Sequence, residues 1–326
     1  MVLEVKLESK RLYGYSICLE VNIMDSYAIK VKNLAKNFGK VSALNGIDLN
    51  VPMGKVYGML GPNAAGKSTT IRLLAGIIRG QATTAKILGI DLETGSEKIK
   101  RHIGYVAQHF ALYPDLTAAE NLTFYATLYG KNDAGHKRSL LIQYGLADFA
   151  NRRAGSLSGG YKRRLSIACA MVHEPELILL DEPTAGIDPV TRNELWELFY
   201  ELSVAGKTLF ITTHYMEEAE RCHYLAFLNR GNLVAEGSLQ DIRSTLKNNK
   251  VFVCSLSYDP KVSKAVTALE GVLTVNQVGE HLRVVARDQS VATELKQAII
   301  KTTSSTPLVQ LAKPTIEDVF ITLTKE

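Results

Sequence analysis

The stretch GPNAAGKST, residues 61–69, sets a lysine and two hydroxyls directly behind a loop bracketed by Gly61 and Gly66. It satisfies G-x-x-x-x-G-K-[ST], and it falls between a short apolar run, VYGML, and a helix-patterned stretch, STTIRLLAGII. Such a loop turns successive backbone N–H groups inward at the positive end of a helix, where an anion is held. In that arrangement Lys67 reaches the β- and γ-phosphates of a nucleotide, Ser68 ligates Mg²⁺ and Thr69 faces the α-phosphate side. Pro62, Asn63, Ala64 and Ala65 form the wrap between the glycines. A second stretch, LILLDEP at 177–183, ends an apolar strand in two carboxylates. Asp181 is placed to hold Mg²⁺. Glu182, expected on the opposite side of the strand, is placed to polarise an attacking water.

A third stretch, LSGGYKRRL at 157–165, sets Ser158, Gly159 and Gly160 before the helical run SIACAMV. Its exposed N–H groups make a second place for an anion. The basic residues that follow, Lys162, Arg163 and Arg164, read as a solvated helix face. His214 closes the apolar run TLFITTH and Gln108 closes IGYVAQ; taken singly, each fits a structural residue at a strand end. Phe38, in NFGK, fits either a turn aromatic or a stacking surface for a purine ring.

The elements that must position these residues alternate between strand and helix. From Tyr27 to about residue 240, YAIKVKNL, VSALNGIDLNV, VYGML, IGYVAQ, LILLD and TLFITTH read as strands, the later ones as fully buried parallel strands. YLAFLNRGNLVAEG reads as a hairpin turning at Arg230–Gly231. Between Gln108 and Gly155 the pattern is helical, which predicts an inserted helical subdomain over 109–156. Residues 245–326 read strand, helix, strand, strand, helix, strand, then a last helix, the order of a split βαβ sandwich. Residues 1–26 read as an extension, with Met24 a second plausible start. The expected fold class is therefore α/β with a helical insert, plus a small C-terminal α+β domain.

Composition narrows the partners. The chain has 326 residues, 46% of them apolar and 22% charged, with a net charge of +5, the mark of an ordinary globular protein. So mild a charge gives no support to nucleic-acid binding. Cys18, Cys169, Cys222 and Cys254 are scattered with no CxxC, which points to a reducing compartment and away from disulfides or zinc. No apolar run approaches the roughly 18–20 residues that span a bilayer, so action at a membrane calls for a second chain.

In their order and spacing these stretches resemble the ATPase subunit of ABC transporters, over about two-thirds of the chain. GPNAAGKST resembles the Walker A loop, LSGGY the signature, LILLDE the Walker B strand and AGID, ending in Asp188, the D-loop. The resemblance implies a P-loop NTPase fold with ATP and Mg²⁺ as cofactors. It also implies Lys67, Gln108, Glu182 and His214 as catalytic residues and Ser68, Gln108 and Asp181 as the metal's ligands. Phe38 falls where the family stacks the base. In that family two nucleotide-binding domains pair head to tail, so Ser158, Gly159, Gly160 and Asp188 complete the site of a second copy or related subunit. The pair drives an integral membrane permease, and the expected location is peripheral, on the cytoplasmic face of the cell membrane. LYPDLTAAENLTFYATLYG and the ending KPTIEDVFITLTKE resemble type-2 exporters of drugs, polysaccharides or lipids, with Tyr113, Pro114 and Leu116 near the permease. A soluble member acting on DNA or ribosomes would bring two such units or a coiled-coil insert, and neither is present. A non-hydrolysing module would not need the intact set of catalytic residues. Two departures stand out: Ala64 replaces a glycine that the family usually carries, and Tyr161 replaces the common glutamine. A left-handed backbone at Ala64 would cost about 1 kcal/mol or more.

Overall fold

Two long strands, β1 (Tyr27–Phe38) and β2 (Val41–Pro52), form an antiparallel hairpin whose inward side chains, among them Ile29, Val31, Leu34, Leu44, Ile47 and Leu49, are buried. This is seen in a computed structural model that describes residues 26–303 and 306–325. The expected extension, all but Ser26, and the alternative start at Met24 lie outside the described residues. Next come β3 (Val56–Leu60), α1 (Lys67–Leu74), β4 (Thr84–Ile87) and β5 (Ile90–Asp91). The pair β4 and β5 was not evident in the sequence; it extends the hairpin into a four-stranded antiparallel sheet of order β2-β1-β4-β5.

The chain continues through α2 (Ser96–Lys100) and β6 (Ile103–Val106) into the helical insert, where α3 (Ala118–Leu128) and α4 (Ala134–Gln143) are followed by two single 3₁₀ turns, Ala147–Phe149 and Ala154–Ser156. Helix α3 starts on a capping box in which Thr117 and Glu120 satisfy each other's backbone N–H groups. The buried Asn121 amide donates to the carbonyls of Tyr113, Leu116 and Thr117, which fixes the loop ahead of the helix. Then follow α5 (Gly159–Met171), β7 (Leu177–Asp181), α6 (Pro189–Val204), β8 (Thr208–Thr213), α7 (Met216–Ala219), β9 (Tyr224–Asn229), β10 (Asn232–Ser238) and α8 (Leu239–Ser244).

The central six-stranded sheet has the order β10-β9-β3-β8-β7-β6, parallel except for the β9–β10 hairpin. Every residue of β3, β7 and β8 is buried, which is why their sequences are rich in apolar residues, with the buried Asp181 of β7 and the threonines of β8 as the exceptions. Their register aligns Leu60 with Thr213 and Asp181 with Thr212. The carboxyl ends of the three strands therefore lie side by side, and the segments starting at Gly61, Glu182 and His214 leave the sheet at one edge. In open α/β sheets, ligands bind at that edge.

The remaining elements are β11 (Lys250–Ser255), α9 (Pro260–Thr267), β12 (Val272–Val278), β13 (His281–Ala286), α10 (Val291–Thr303), β14 (Leu308–Ala312) and α11 (Ile316–Thr324). The four strands pair antiparallel in the order β12-β13-β11-β14, the split βαβ arrangement the sequence predicts. Arg283 grips Asp318 at the start of α11 through Nε at 3.0 Å and Nη2 at 2.6 Å. Burial works to raise the Asp318 carboxyl, but this fork and the Thr315 bonds outweigh it and hold the carboxyl below its ordinary value. The far side of α11 packs on the central sheet's layer, with Phe320 edge-on to Phe227 at 5.4 Å and Ile316 and Val319 in the same apolar core.

Candidate nucleotide site

The loop 61–66 is built by close approach. A side chain at Gly61 would stand 2.4 Å from the Leu228 carbonyl, and one at Gly66, where φ is 111°, 2.7 Å from that of Ala43. Neither position accepts a Cβ. Ala64 has a φ of 64°, the left-handed backbone feared from its sequence, and its methyl is exposed. Lys67 is buried and donates to the carbonyls of Gly61 at 2.9 Å and Pro62 at 3.1 Å, so its ammonium lies within the curl of the loop. The Thr70 hydroxyl donates to the Gly66 carbonyl, which secures the first turn of α1.

Two carboxylates meet this helix start. Ser68 Oγ donates to Asp181 Oδ1 at 3.0 Å, and Thr212 Oγ1 donates to the same oxygen at 2.7 Å. Asp181 Oδ2 is buried with no hydrogen-bond partner. Glu182 does not point to the opposite side. Its Oε1 lies 3.2 Å from Lys67 Nζ, beside the Ser68–Asp181 contact. Strand alternation fails here because Glu182 lies one residue past β7 with a φ of 45°. Its backbone N–H is fastened to the carbonyl and hydroxyl of Thr212. The left-handed turn brings the second carboxylate round to the same edge as the first.

Glu182 is the meeting point of the site. Gln108 Nε2 donates to Oε2 at 3.2 Å, and His214 Nδ1 stands 3.3 Å from that oxygen, near enough for an ion pair though not aligned for a hydrogen bond. Lys67, Gln108, Asp181, Glu182 and His214, together with Ser68, thus converge from four separate segments. The rest of the expected set stands apart from this cluster. Ser158 caps α5, accepting from the Tyr161 N–H, and Ser158 and Gly159 are exposed. Asp188 caps α6, accepting from Val190 and Thr191, and the Thr191 bonds hold its carboxyl below the ordinary value. The two caps are neighbours: a Cβ on Gly160 would meet the Thr191 methyl at 2.5 Å. Phe38 is exposed at the turn end of the β1–β2 hairpin, where it pairs with Val41, and lies under the Lys36 ammonium with no aromatic partner among the described residues. Tyr161 packs on Phe149, with ring centres 4.1 Å apart, and so joins the start of α5 to the helical insert.

Three features escape sequence reasoning. Arg163 is not on a solvated face: it is 1% exposed and donates to the carbonyls of Ala107 and Gln108. Arg164 does reach the surface, where it pairs with Glu194. The buried Glu218 accepts hydroxyl bonds from Thr184, two residues past Glu182, and from Thr213, one before His214. It braces the two segments that carry those side chains. Thr212 bonds both Asp181 and the Glu182 amide. Only its place in an all-buried strand hinted at it, since a hydroxyl there needs a partner.

This arrangement is that of an ATP-binding cassette, and the chain belongs to the ABC transporter ATP-binding proteins. Residues 44–185 match the family described as ABC transporter, and residues 237–324 match the C-terminal domain of DrrA1-3-like ATP-binding proteins. The linearmycin resistance ATP-binding protein LnrL of Bacillus subtilis is 34% identical over 307 residues, covering 91% of this chain and 98% of that one. The probable multidrug ABC transporter ATP-binding protein YbhF of Escherichia coli is 38% identical over 225 residues, but these make up 68% of this chain and only 39% of YbhF. The dimeric post-hydrolysis structure of an ATP-binding cassette bound to ADP and Pi superposes with a TM-score of 0.60 at 29% identity, covering 65% of this chain and 98% of that one.

Proposed function

We propose that this chain binds and hydrolyses Mg²⁺-ATP as one half of a head-to-tail pair that drives a separate membrane permease of the exporter type. The observation that carries this reading is the Glu182 carboxylate held by Lys67, Gln108 and His214 beside the Ser68–Asp181 contact. A base restrained from three sides keeps its aim on a water lodged above the loop. Lys67 carries the charge that attracts the outer phosphates, and the N–H groups of 61–66 cradle the rest. The donor set fits Mg²⁺: a hydroxyl, an amide oxygen and a buried carboxylate oxygen with no partner of its own suit a hard cation that takes its other ligands from phosphate and water. When bound, the ion neutralises charge on the transferred phosphoryl group. Ser68, Asp181 and Gln108 would hold it, and Phe38 would stack the base.

Residues 27–240 act as the nucleotide-binding domain, with 109–156 as its helical subdomain, and 245–326 as a C-terminal domain. Ser158, Gly159, Gly160 and Asp188 stand at exposed helix starts with no contact to their own chain's Lys67–Glu182 cluster, and they serve the site of a second copy. A groove of about 300 Å³ between β6 and α3, lined by Leu112, Tyr125, Tyr129 and His173, adjoins the exposed Tyr113 and supports a permease contact at Tyr113, Pro114 and Leu116. Among the described residues no helix is long and apolar enough to cross a membrane, consistent with a peripheral subunit carried by that permease. The resistance named for LnrL supports export.

Complementation tests the pairing. S158R lacks the part given to a partner, and E182Q lacks the part kept for itself. Each alone is expected to hydrolyse almost nothing. Mixed, they form heterodimers with one intact site, and ATPase activity returns. Inactivity of the mixture, with heterodimers shown to form, would defeat the paired-site reading, as would full activity of S158R alone.

A further inference from the structure

Arg163 lies in the first turns of α5, five residues past Ser158, and its side chain is turned inward. Nη1 donates to the Ala107 carbonyl at 2.8 Å and Nη2 to the Gln108 carbonyl at 2.9 Å. The guanidinium also lies over the Phe110 ring, 4.9 Å from its centre. One side chain thus grips three of the four residues from 107 to 110 from the helix that begins at Ser158. Burying a cation is costly. Desolvation pulls the Arg163 guanidinium down to about 10, with the negative charge of Asp181 opposing the fall. A buried hydrophobic residue would join α5 to β6 at less cost, but it could not direct two carbonyls. The planar fork suits two acceptors one residue apart, and a lysine does not reproduce it.

We propose that Arg163 is a positioning residue: it fixes the backbone of Gln108 so that the amide side chain meets Glu182, and it ties that placement to the helix end bearing Ser158. This rests on the reading above that Gln108 serves the metal and Glu182. The fork fixes the carbonyl of Gln108, and the Nε2–Oε2 contact of 3.2 Å depends on where that backbone stands. Movement of the Ser158 end of α5 would therefore reach Gln108 through one rigid side chain.

The test uses the full chain with R163K, R163M, Q108A and the double variant R163K/Q108A. Backbone hydrogen exchange over 107–110 is read in the absence of nucleotide. Steady-state ATPase activity is read while Mg²⁺ is titrated at fixed ATP, and ATP binding is read in EDTA. R163K is expected to exchange at least about tenfold faster in that segment while keeping its melting temperature within a few degrees. It is expected to bind ATP in EDTA as wild type does, and to need about tenfold more Mg²⁺ for half-maximal rate, the scale on which residues supporting a metal's ligands act. The double variant is expected to be no worse than Q108A, because the effect passes through Gln108. Wild-type exchange and Mg²⁺ response in both R163K and R163M would overturn the proposal, as would losses in R163K and Q108A that simply add. A wild-type Mg²⁺ response in Q108A would instead sink the assignment of Gln108, and the exchange rates alone would then decide whether Arg163 fixes this segment.

Discussion

Ala64→Gly tests whether the loop carries removable strain. Ala64 holds a φ of 64°, a region in which an L-residue is disfavoured by about 1–2 kcal/mol. Glycine has no such penalty, but it gives the unfolded chain more freedom, worth about 0.4–1 kcal/mol in the other direction. The Ala64 methyl is exposed, so its removal sacrifices little buried surface. The difference is a net stabilisation of about 0–1.6 kcal/mol, centred near 0.8 kcal/mol, or roughly 2 °C in melting temperature. Ala64→Val should move the other way, since a β-branched residue is a far worse fit to left-handed backbone. Calorimetric melts of the three proteins without nucleotide make the comparison. An A64G protein that melts at or below the wild-type temperature, or an A64V protein that melts with it, would show that the loop relaxes and that no strain is stored at this position.

Glu182→Gln should lower kcat by about 10²–10⁴ while ATP still binds, and should accumulate dimer in size-exclusion runs with Mg²⁺-ATP; a wild-type rate would remove Glu182 from its assigned role. Glu236→Gln should flatten part of the pH dependence of stability. Glu236 Oε1 accepts from the Tyr57 hydroxyl at 2.6 Å and the Asn50 amide at 3.1 Å, yet burial, helped by the charge of Asp48, keeps its carboxyl above the ordinary 4.5. A raised acid favours its neutral form in the folded chain. Its contribution is full below 4.5 and declines as pH rises through the folded value. Wild type should therefore lose stability relative to E236Q as melts are taken from about pH 4 upward, and parallel curves would refute the assignment.

The buried parallel strands were legible because both of their faces are covered, which writes them as runs rich in apolar residues such as LILLD. The C-terminal sandwich was legible for a different reason: its strands and amphipathic helices alternate in period, and its hairpin turns at Gly279, where φ is 57°. Strands β4 and β5 were not, since TAKI and ID are short and β4 buries only Ile87; pairing with β1 makes them strands. At the site, the residues that converge on Glu182 and Asp181 could be picked out of the sequence, and their directions could not. A helix wheel cannot say which of Lys162, Arg163 and Arg164 faces the core, because that depends on where β6 lies. Nor can Glu218 be told from its neighbour Glu217 without knowing that two threonine hydroxyls wait on one side of α7.

The same limit governs two backbone positions of the site. Ala64 and Glu182 share an unfavourable backbone, with φ of 64° and 45°, on two loops of one site, but the strain has different standing at each. At Ala64 the side chain is exposed and makes no polar contact, so nothing is gained from having it there. At Glu182 the left-handed turn is what carries the carboxylate to Lys67, Gln108 and His214, and the Thr212 bonds to its amide hold the turn in place. Strain that aims a side chain cannot be relieved by glycine without losing that side chain. Of the two outliers, then, only the one at Ala64 can be removed without losing a side chain that the cluster uses.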